Sequence, residues 1–462
     1  MSSPLAVSAI KTNRTNVVGA GLKLKSRIDF KKIGIAREQA DEWEQNTEKE
    51  FALWADSVWC DSMRLNNFYE LQQLALMSWL MNGDCFGLVN NVEPTAWMPY
   101  GIRLFLIESD RVCTPNLYNV IAKNKDGKNI YSGVEIDNAG AIIAYHVCNK
   151  HPNSNISFKK AEWVRVQAFS KVTGNPNVLH IMESERCEQY RGVPYLAPVI
   201  ETIKQITRYT EAELTAAVIQ AFFTAFIKVD SDRSQVPFGD SISDEEKIET
   251  DPSSYEMGAG TINVLGENED VVFADPKRPS SGFEGFVNSM TKQIGAALEI
   301  PFELLNKSFT ASYSASRAAL LEAWKAFKMR RTWFANDFCQ PIYEMWLSEA
   351  IARGRVKAPG FFNDPSIKKA WSRSEWIGPA QGMLDPVKEV NAAILRTSHA
   401  FSTHERETTE LTGGNWDDNI NQVTRENELL SKILGAQNNS NQTMNSTNNN
   451  DDDDDEEGAK KQ

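Results

Sequence analysis

The residues that most often carry chemistry are scattered along this chain. Five histidines, His146, His151, His180, His399 and His404, lie too far apart for a local metal or triad signature. Cysteines Cys60, Cys85, Cys113, Cys148, Cys187 and Cys339 form neither the CxxC pairs of a zinc site nor a disulfide scaffold, and read as buried reduced thiols. GAGLKLKS, from Gly19 to Ser26, has the glycines of a phosphate loop without the adjacent Gly-Lys-Ser/Thr that grips phosphate, and reads as a turn. HExxH, GxSxG and a GxGxxG behind a strand pattern are absent. Acidic pairs are plentiful, but any two would serve equally well as general acid and base, so they assign nothing. No enzyme activity, cofactor or metal is therefore expected.

One stretch stands apart. EIPFELLNKSFTASYSASR, from Glu299 to Arg317, is polar and broken by Pro301, yet strongly apolar helical patterns flank it. Lys307 is its one cation before Arg317. Around it, Asn306, Ser308, Thr310 and Ser312 carry groups that make weak, sequence-blind hydrogen bonds to phosphate. The plainer alternative is that Lys307 is a solvated loop residue.

The elements that must position this stretch follow from pattern. At 462 residues, 41% hydrophobic and 24% charged, the chain suits a soluble protein with a prior of roughly three domain-sized units. No apolar window is long enough to cross a membrane, and MSSPLAVSAIKTNRTNVVGAG lacks the apolar core of a secretory signal, so synthesis and residence in the cytoplasm are expected. A net charge of −13 argues against a tight grip on nucleic acid. From Thr47 to Leu88, Phe68, Leu71, Leu74 and Trp79 recur at helical spacing and stop at Asn82-Gly83. From Gly101 to Val166, IRLFLIES, YSGVEID and AIIAYHVC read as strands of a small β-rich part.

A helix of about thirty residues, about 45 Å long, is expected next, with Leu196, Ile200, Ile203 and Ile206 on one stripe continued by Leu214, Val218, Ala221 and Ala225. Val229 to Pro276 breaks the pattern with thirteen Asp and Glu against two Lys and Arg; GTINVLG and EDVVFA are its only strand-like runs. Helical periodicity returns with Phe283, Phe286, Met290, Ile294 and Leu298, and again from Ser316 to Ile351, where Pro341 predicts a kink. QNNSNQTMNSTNNNDDDDDEEGAKKQ is low-complexity and reads as a disordered acidic tail, either solubilising or docking to a partner. The fold class expected is mixed α+β, predominantly helical.

Several longer stretches occur in collinear order between Val17 and about Val423: VVGAGLKL, RLNNFYELQQLALMSWLMNGDCF, RGVPYLAPVIE, VVFADPKRPSSGFEGFV, IPFELLNKSFTASYSASRAALLEAWKAF, FCQPIYEMWLSEA and EWIGPAQGMLDPVKEVNAAI. In these the chain resembles the portal proteins of tailed bacteriophages, specifically the lambda-type family. Members of that family usually carry a longer segment before the VVGAG stretch than is present here.

The resemblance implies a portal-type subunit with wing, stem, clip and crown regions. It places a wing region at 1–190, a first stem helix at 191–228, a clip at 229–279 and a second stem helix at 280–300. A tunnel loop at 301–316, a long wing helix at 317–352, a wing or crown region at 353–436 and the acidic tail at 437–462 complete it. It further implies a homo-oligomeric ring, a dodecamer in the family's manner, at one capsid vertex of the virion, assembled in the host cytoplasm. Double-stranded DNA would pass through it non-specifically, past Asn306, Lys307, Ser308, Thr310, Ser312 and Tyr313. Terminase, major capsid or scaffold protein, and neck or head-completion proteins would be its partners, with no membrane involved. Two other classes remain: another ring-forming neck or adaptor protein, usually much shorter, and a nucleic-acid-processing enzyme, which the missing phosphate loop disfavours.

Overall fold

A computed structural model of the chain describes residues 3–115, 121–124, 127–152, 154, 160–221, 225–227, 262–264, 282–309, 312–383 and 385–446. Helix α1 (Pro4–Val17) and strand β1 (Lys23–Ser26) precede helices α2 (Phe30–Ile33), α3 (Arg37–Ala55) and α4 (Phe68–Asn82). Eight strands follow: β2 (Asp84–Asn91), β3 (Ile102–Ile107), β4 (Ile121–Lys123), β5 (Asn129–Tyr131), β6 (Val134–Ile136), β7 (Ile142–Cys148), β8 (Trp163–Gln167) and β9 (Val178–Met182). Then come α5 (Ile200–Ala221), β10 (Ala225–Ile227), β11 (Ile262–Val264), α6 (Phe283–Ala297), α7 (Phe302–Asn306), α8 (Tyr313–Phe334) and α9 (Gln340–Ala352). The chain closes with α10 (Pro365–Trp371), β12 (Ser374–Ile377), α11 (Pro386–Ser398), α12 (His404–Thr412) and α13 (Trp416–Ser446). This is a mixed α+β fold dominated by helix. It divides into two compact units, not three: Met1–Thr15 with Trp54–Glu349, and Asn16–Leu53 with Ala350–Gln462.

In the first unit, α4 starts where the sequence marks it. Asn67 Oδ1 accepts from the Glu70 amide at 2.9 Å while Glu70 Oε2 accepts from the Asn67 amide at 2.8 Å, a reciprocal cap that satisfies two otherwise orphaned donors. Phe68, Leu71 and Trp79 are buried as the spacing predicts, but Leu74 is 47% exposed and lies on the open face. Gly83 ends the helix at φ +92°, and a Cβ there would stand 2.5 Å from the Gly192 carbonyl oxygen. β2 follows at once and is the centre of an antiparallel sheet ordered β3-β2-β9. A second antiparallel sheet runs β4-β5-β6-β7-β8. Phe86, Ile107 and Val178 meet Val134, Tyr145 and Val147 in one core.

The two helices expected as a stem are shorter than their patterns suggested. Pro194 and Pro198 shape a 3₁₀ turn at Ala197–Val199, so α5 starts at Ile200 and has 22 residues, about 33 Å. β10 lies parallel to β11. GTINVLG is thus a strand in part, while the rest of the expected clip, EDVVFA included, falls outside the described residues. Ile203 and Ile206 are buried, whereas Ile200, Leu214 and Val218 are exposed. α6 packs on α5, with Tyr209 stacked on Phe283 at 5.4 Å and edge-on to Phe286 at 4.8 Å. α8 and α9 are joined by a π-helical stretch at Ala335–Cys339, in which the Gln340 amide reaches back to the Ala335 carbonyl. Pro341 has no N–H to continue an α-helical ladder, and this wider turn absorbs the irregularity just before it.

In the second unit, β1 pairs antiparallel with β12. GAGLKLKS is therefore a turn at its glycines and a strand at its lysines. Buried Lys25 lies 3.3 Å from Asp417 and 3.8 Å from Glu48, and Arg396 grips Glu407 through two bonds of 2.9 and 2.6 Å. α13 continues to Ser446, ten residues beyond the boundary expected at Ala436. An established helix extends cheaply into Asn/Gln-rich sequence, which composition alone does not reveal. Residues 447–462, the acidic run included, lie outside the described residues.

Candidate functional site

The polar stretch between α6 and α8 is not wholly a loop. Gly295 makes the corner possible, because a Cβ there would lie 2.5 Å from the Ile300 carbonyl oxygen, while the Ile300 amide donates to Gly295 O at 2.9 Å. Glu299 takes a left-handed backbone, φ +54°. Pro301 then caps a five-residue helix, α7, which ends on Lys307 at φ +53°, its N–H bonded to Glu303 O. A helical turn inside a stretch rich in Ser and Thr has no amphipathic period to announce it, since five residues show barely one repeat. Leu305 anchors α7 in a core with Ala9, Val199, Ile203, Ile206 and Ile294, and Ser8 Oγ donates to Leu305 O at 2.6 Å.

The expected site residues separate into two groups. Asn306 and Lys307 are exposed and Ser308 is half-buried at the end of α7. The Ser308 amide also donates to Glu303 O at 3.1 Å. A cation at a helix C-terminus sits favourably against the partial negative charge of the last carbonyls. Ser312 is exposed and its carbonyl accepts from the Ser316 amide at the start of α8, where Tyr313 is the first helical residue. Thr310 lies outside the described residues. Phe309, between the two groups, is 55% exposed; a single apolar residue in a polar run carries no periodic signal and was not anticipated.

Behind the corner is a buried guanidinium that the sequence did not mark. Arg330, on α8, donates to Glu299 Oε2 at 2.6 Å and to Asn13 Oδ1 at 3.2 Å, and lies 4.8 Å from the centre of the Tyr195 ring. Tyr195 Oη in turn donates to the Leu298 carbonyl. Beside it, a groove of about 520 Å³ opens between α6, the α6–α7 turn and α8, with Ala296, Phe302, Ala323 and Met329 in its walls and Lys292 and Lys325 among its charged residues.

A second cluster contains the residue types of a hydrolytic triad, yet is arranged differently. Ser109 Oγ donates to Asp84 Oδ1 and not to an imidazole. Arg191 donates to Asp84 Oδ2 at 2.5 Å and Oδ1 at 3.1 Å, and to the carbonyls of Val112, Ser132 and Ser109. Burial favours the neutral Asp84 carboxyl, but the His180 imidazole close by and the bonds from Arg191 and Ser109 outweigh it and hold the group well below the usual carboxylate range. Burial pushes the His180 imidazole down despite its proximity to Asp84. With its hydroxyl turned to the acid and its guanidinium saturated, the cluster fastens β2, β9 and the approach to α5; it is a structural tie. Among the described residues no group of three His, Cys, Asp or Glu could hold a metal ion, and no helix is long and apolar enough to cross a membrane.

Comparison with known proteins adds a common thread. The profile of the family described as phage portal protein, lambda family, matches residues 1–331. Portal protein B of Escherichia phage lambda is 24% identical over 425 residues, 87% of this chain and 77% of that protein. The portal protein of Escherichia phage N15 shows the same identity and coverage. Among solved structures, the neck of a native gene transfer agent particle computed with C12 symmetry contains a chain 11% identical, with a TM-score of 0.42, covering 88% of this chain and 90% of that one.

Proposed function

The chain belongs to the lambda family of phage portal proteins, and from this premise we propose that it forms a closed ring, a dodecamer, at one vertex of the capsid, through which double-stranded DNA enters and leaves. In this reading it is a structural part of the virion and not an enzyme. α5 and α6 form the stem, the 229–279 segment the clip, α7 with the residues up to Ser312 the tunnel loop, and α8 with α9 the long wing helix.

The observation that carries the reading is the corner at Gly295–Lys307. It ends at Asn306, Lys307 and Ser308, a polar turn with one cation on a short helix that packs through Leu305 against residues of α5 and α6. Repeated around a ring, such a segment touches phosphate without holding it, because few cations means little counterion release. The net charge of −13 per subunit acts in the same direction. Terminase, the major capsid or scaffold protein and neck proteins are the partners proposed, with assembly in the host cytoplasm.

Native mass spectrometry with negative-stain imaging tests the proposal. Heterologous contacts that close give cyclic symmetry, so a ring of about twelve subunits with a central opening is expected. A monomer or dimer that persists across concentration and salt would overturn it.

A further inference from the structure

We infer that neighbouring subunits are joined in the second unit, the apolar face of α11 in one copy of the chain receiving the apolar face of α13 from the next. The inference rests on the proposed ring and names the elements that close it.

α13 is a helix with little of its own chain against it. Trp416 stacks on His404 of α12 at 4.8 Å, but every residue from Asp418 to Ser431 is exposed. The stretch is nevertheless amphipathic. Ile420, Val423 and Leu430 are 42, 48 and 54% exposed and follow one another at spacings of three and seven, with Asn427 four residues after Val423. That is the seam of a heptad repeat, with Asn427 at an inner position, where a polar residue fixes register and partner number. Asp418 and Arg425 fall on the opposite side. A helix of this kind owes most of its stability to the packing of its apolar face, and no described residue of the same chain covers this one.

α11 has the same deficit. Its inner side is held, with Ala393 buried and Arg396 bonded to Glu407 of α12. Its outer side carries Val387, Ile394 and Leu395 at 72, 57 and 60% exposed, Val390 lies at the edge, and Phe401, just past the helix, is 81% exposed. Positions i, i+3, i+7 and i+8 make one stripe. These residues are not outside for want of a core, since Phe361, Ala370 and Trp371 of the same unit are buried.

Symmetry decides how the stripes pair. A cyclic ring needs two different faces on each subunit, one for each neighbour, because a face that pairs with its own copy joins only two chains. Among the described residues of the second unit, α11 and α13 are the two helices with an uncovered apolar stripe. Each subunit thus gives α11 to one neighbour and α13 to the other. Subunits of net charge −13 repel one another, and an apolar seam holds them without relying on opposite charges.

The test uses full-length protein in which Cys187→Ser removes the exposed native thiol. Val390→Cys or Ile394→Cys is combined with Val423→Cys or Leu430→Cys, and the assembled protein is treated with a short bismaleimide. On denaturing gels at least one double variant should give a ladder of covalent oligomers, whereas every single-cysteine variant and the Cys187→Ser parent should run as monomers. Ile394→Asp and Leu430→Asp supply a second measurement. Both side chains are exposed in the subunit, so melting below the assembly concentration should not change, while the concentration for half-assembly should rise by about tenfold or more. Dimers from a cysteine in α13 alone would mean that α13 pairs with itself and would overturn the inference, as would links formed only within one chain. Intact rings with no cross-link in any pairing, or normal assembly of both Asp variants, would overturn the seam and leave the ring standing. Protein that forms no rings at all would overturn both.

Discussion

Lys307 ends α7 in a left-handed turn, a position that glycine or asparagine usually fills. Its side chain is exposed among the described residues, where its charge can act on what occupies the space beyond. If twelve copies face a channel, Lys307→Glu places a ring of negative charge at one level, and each close pair of like charges costs on the order of 1 kcal/mol near wet surface. Passing phosphates meet the same barrier. Packaged DNA per particle should fall several-fold, the defect should ease as ionic strength rises, and Lys307→Ala should be milder because it removes a contact without adding repulsion. Rings should form and melt normally, since no core residue changes. Wild-type packaging by the Glu variant would remove Lys307 from the channel wall, and misassembled rings would make the stretch a subunit contact.

The corner depends on α6 closing tightly against the α6–α7 turn. Gly295→Ala would push a methyl to 2.5 Å from the Ile300 carbonyl oxygen, a backbone atom that cannot swing aside, and overpacking of this kind costs about 1–3 kcal/mol. Gly285 is also on α6 but meets only open space, so Gly285→Ala should be stabilising by about 0.5–1 kcal/mol. Denaturant midpoints of the two variants should move in opposite directions; a neutral Gly295→Ala would mean that the turn has room to shift. At this scale the sequence is readable where signals are local. α4 has its cap pair Asn67 and Glu70, its period and its glycine stop within seventeen residues. β2 was lost because DCFGLV begins immediately after that stop and is buried on both faces at its start, leaving no alternation to detect. α7 is too short to show a period. The cluster around Arg330 was invisible for another reason: Asn13, Tyr195, Glu299 and Arg330 come together only in the fold, and no spacing rule links them. Thus polarity marked the stretch between α6 and α8, but neither the helix inside it nor the side chains packed behind it.

For the whole molecule, length suggested more units than are present, because length counts residues and not the segments that fold together. The acidic tail is a separate matter. Residues 447–462 are mostly Asn, Asp, Glu and Lys with no large apolar side chain, and such composition contributes little to burial. Their removal should leave ring assembly intact and melting temperature within about 1 °C of wild type, since a stretch without large apolar side chains brings little burial to lose. A larger fall in calorimetry would show that the tail is bound to the folded protein, whereas loss of infectivity with intact rings would assign it a docking role.

The pairing of β1 with β12 joins residues 23–26 to residues 374–377. On the ribosome, with the chain lengthening at about 5–20 residues per second, β1 emerges roughly 20–70 s before its partner exists. Lys25, buried in the finished protein, likewise waits for Asp417. The second unit is thus completed only after all of the first has been synthesised, and no single stretch of the gene encodes it. A fragment ending before Ser374 will lack it, whatever the state of the remainder, and its early strand will be left with an open edge for other chains to pair with.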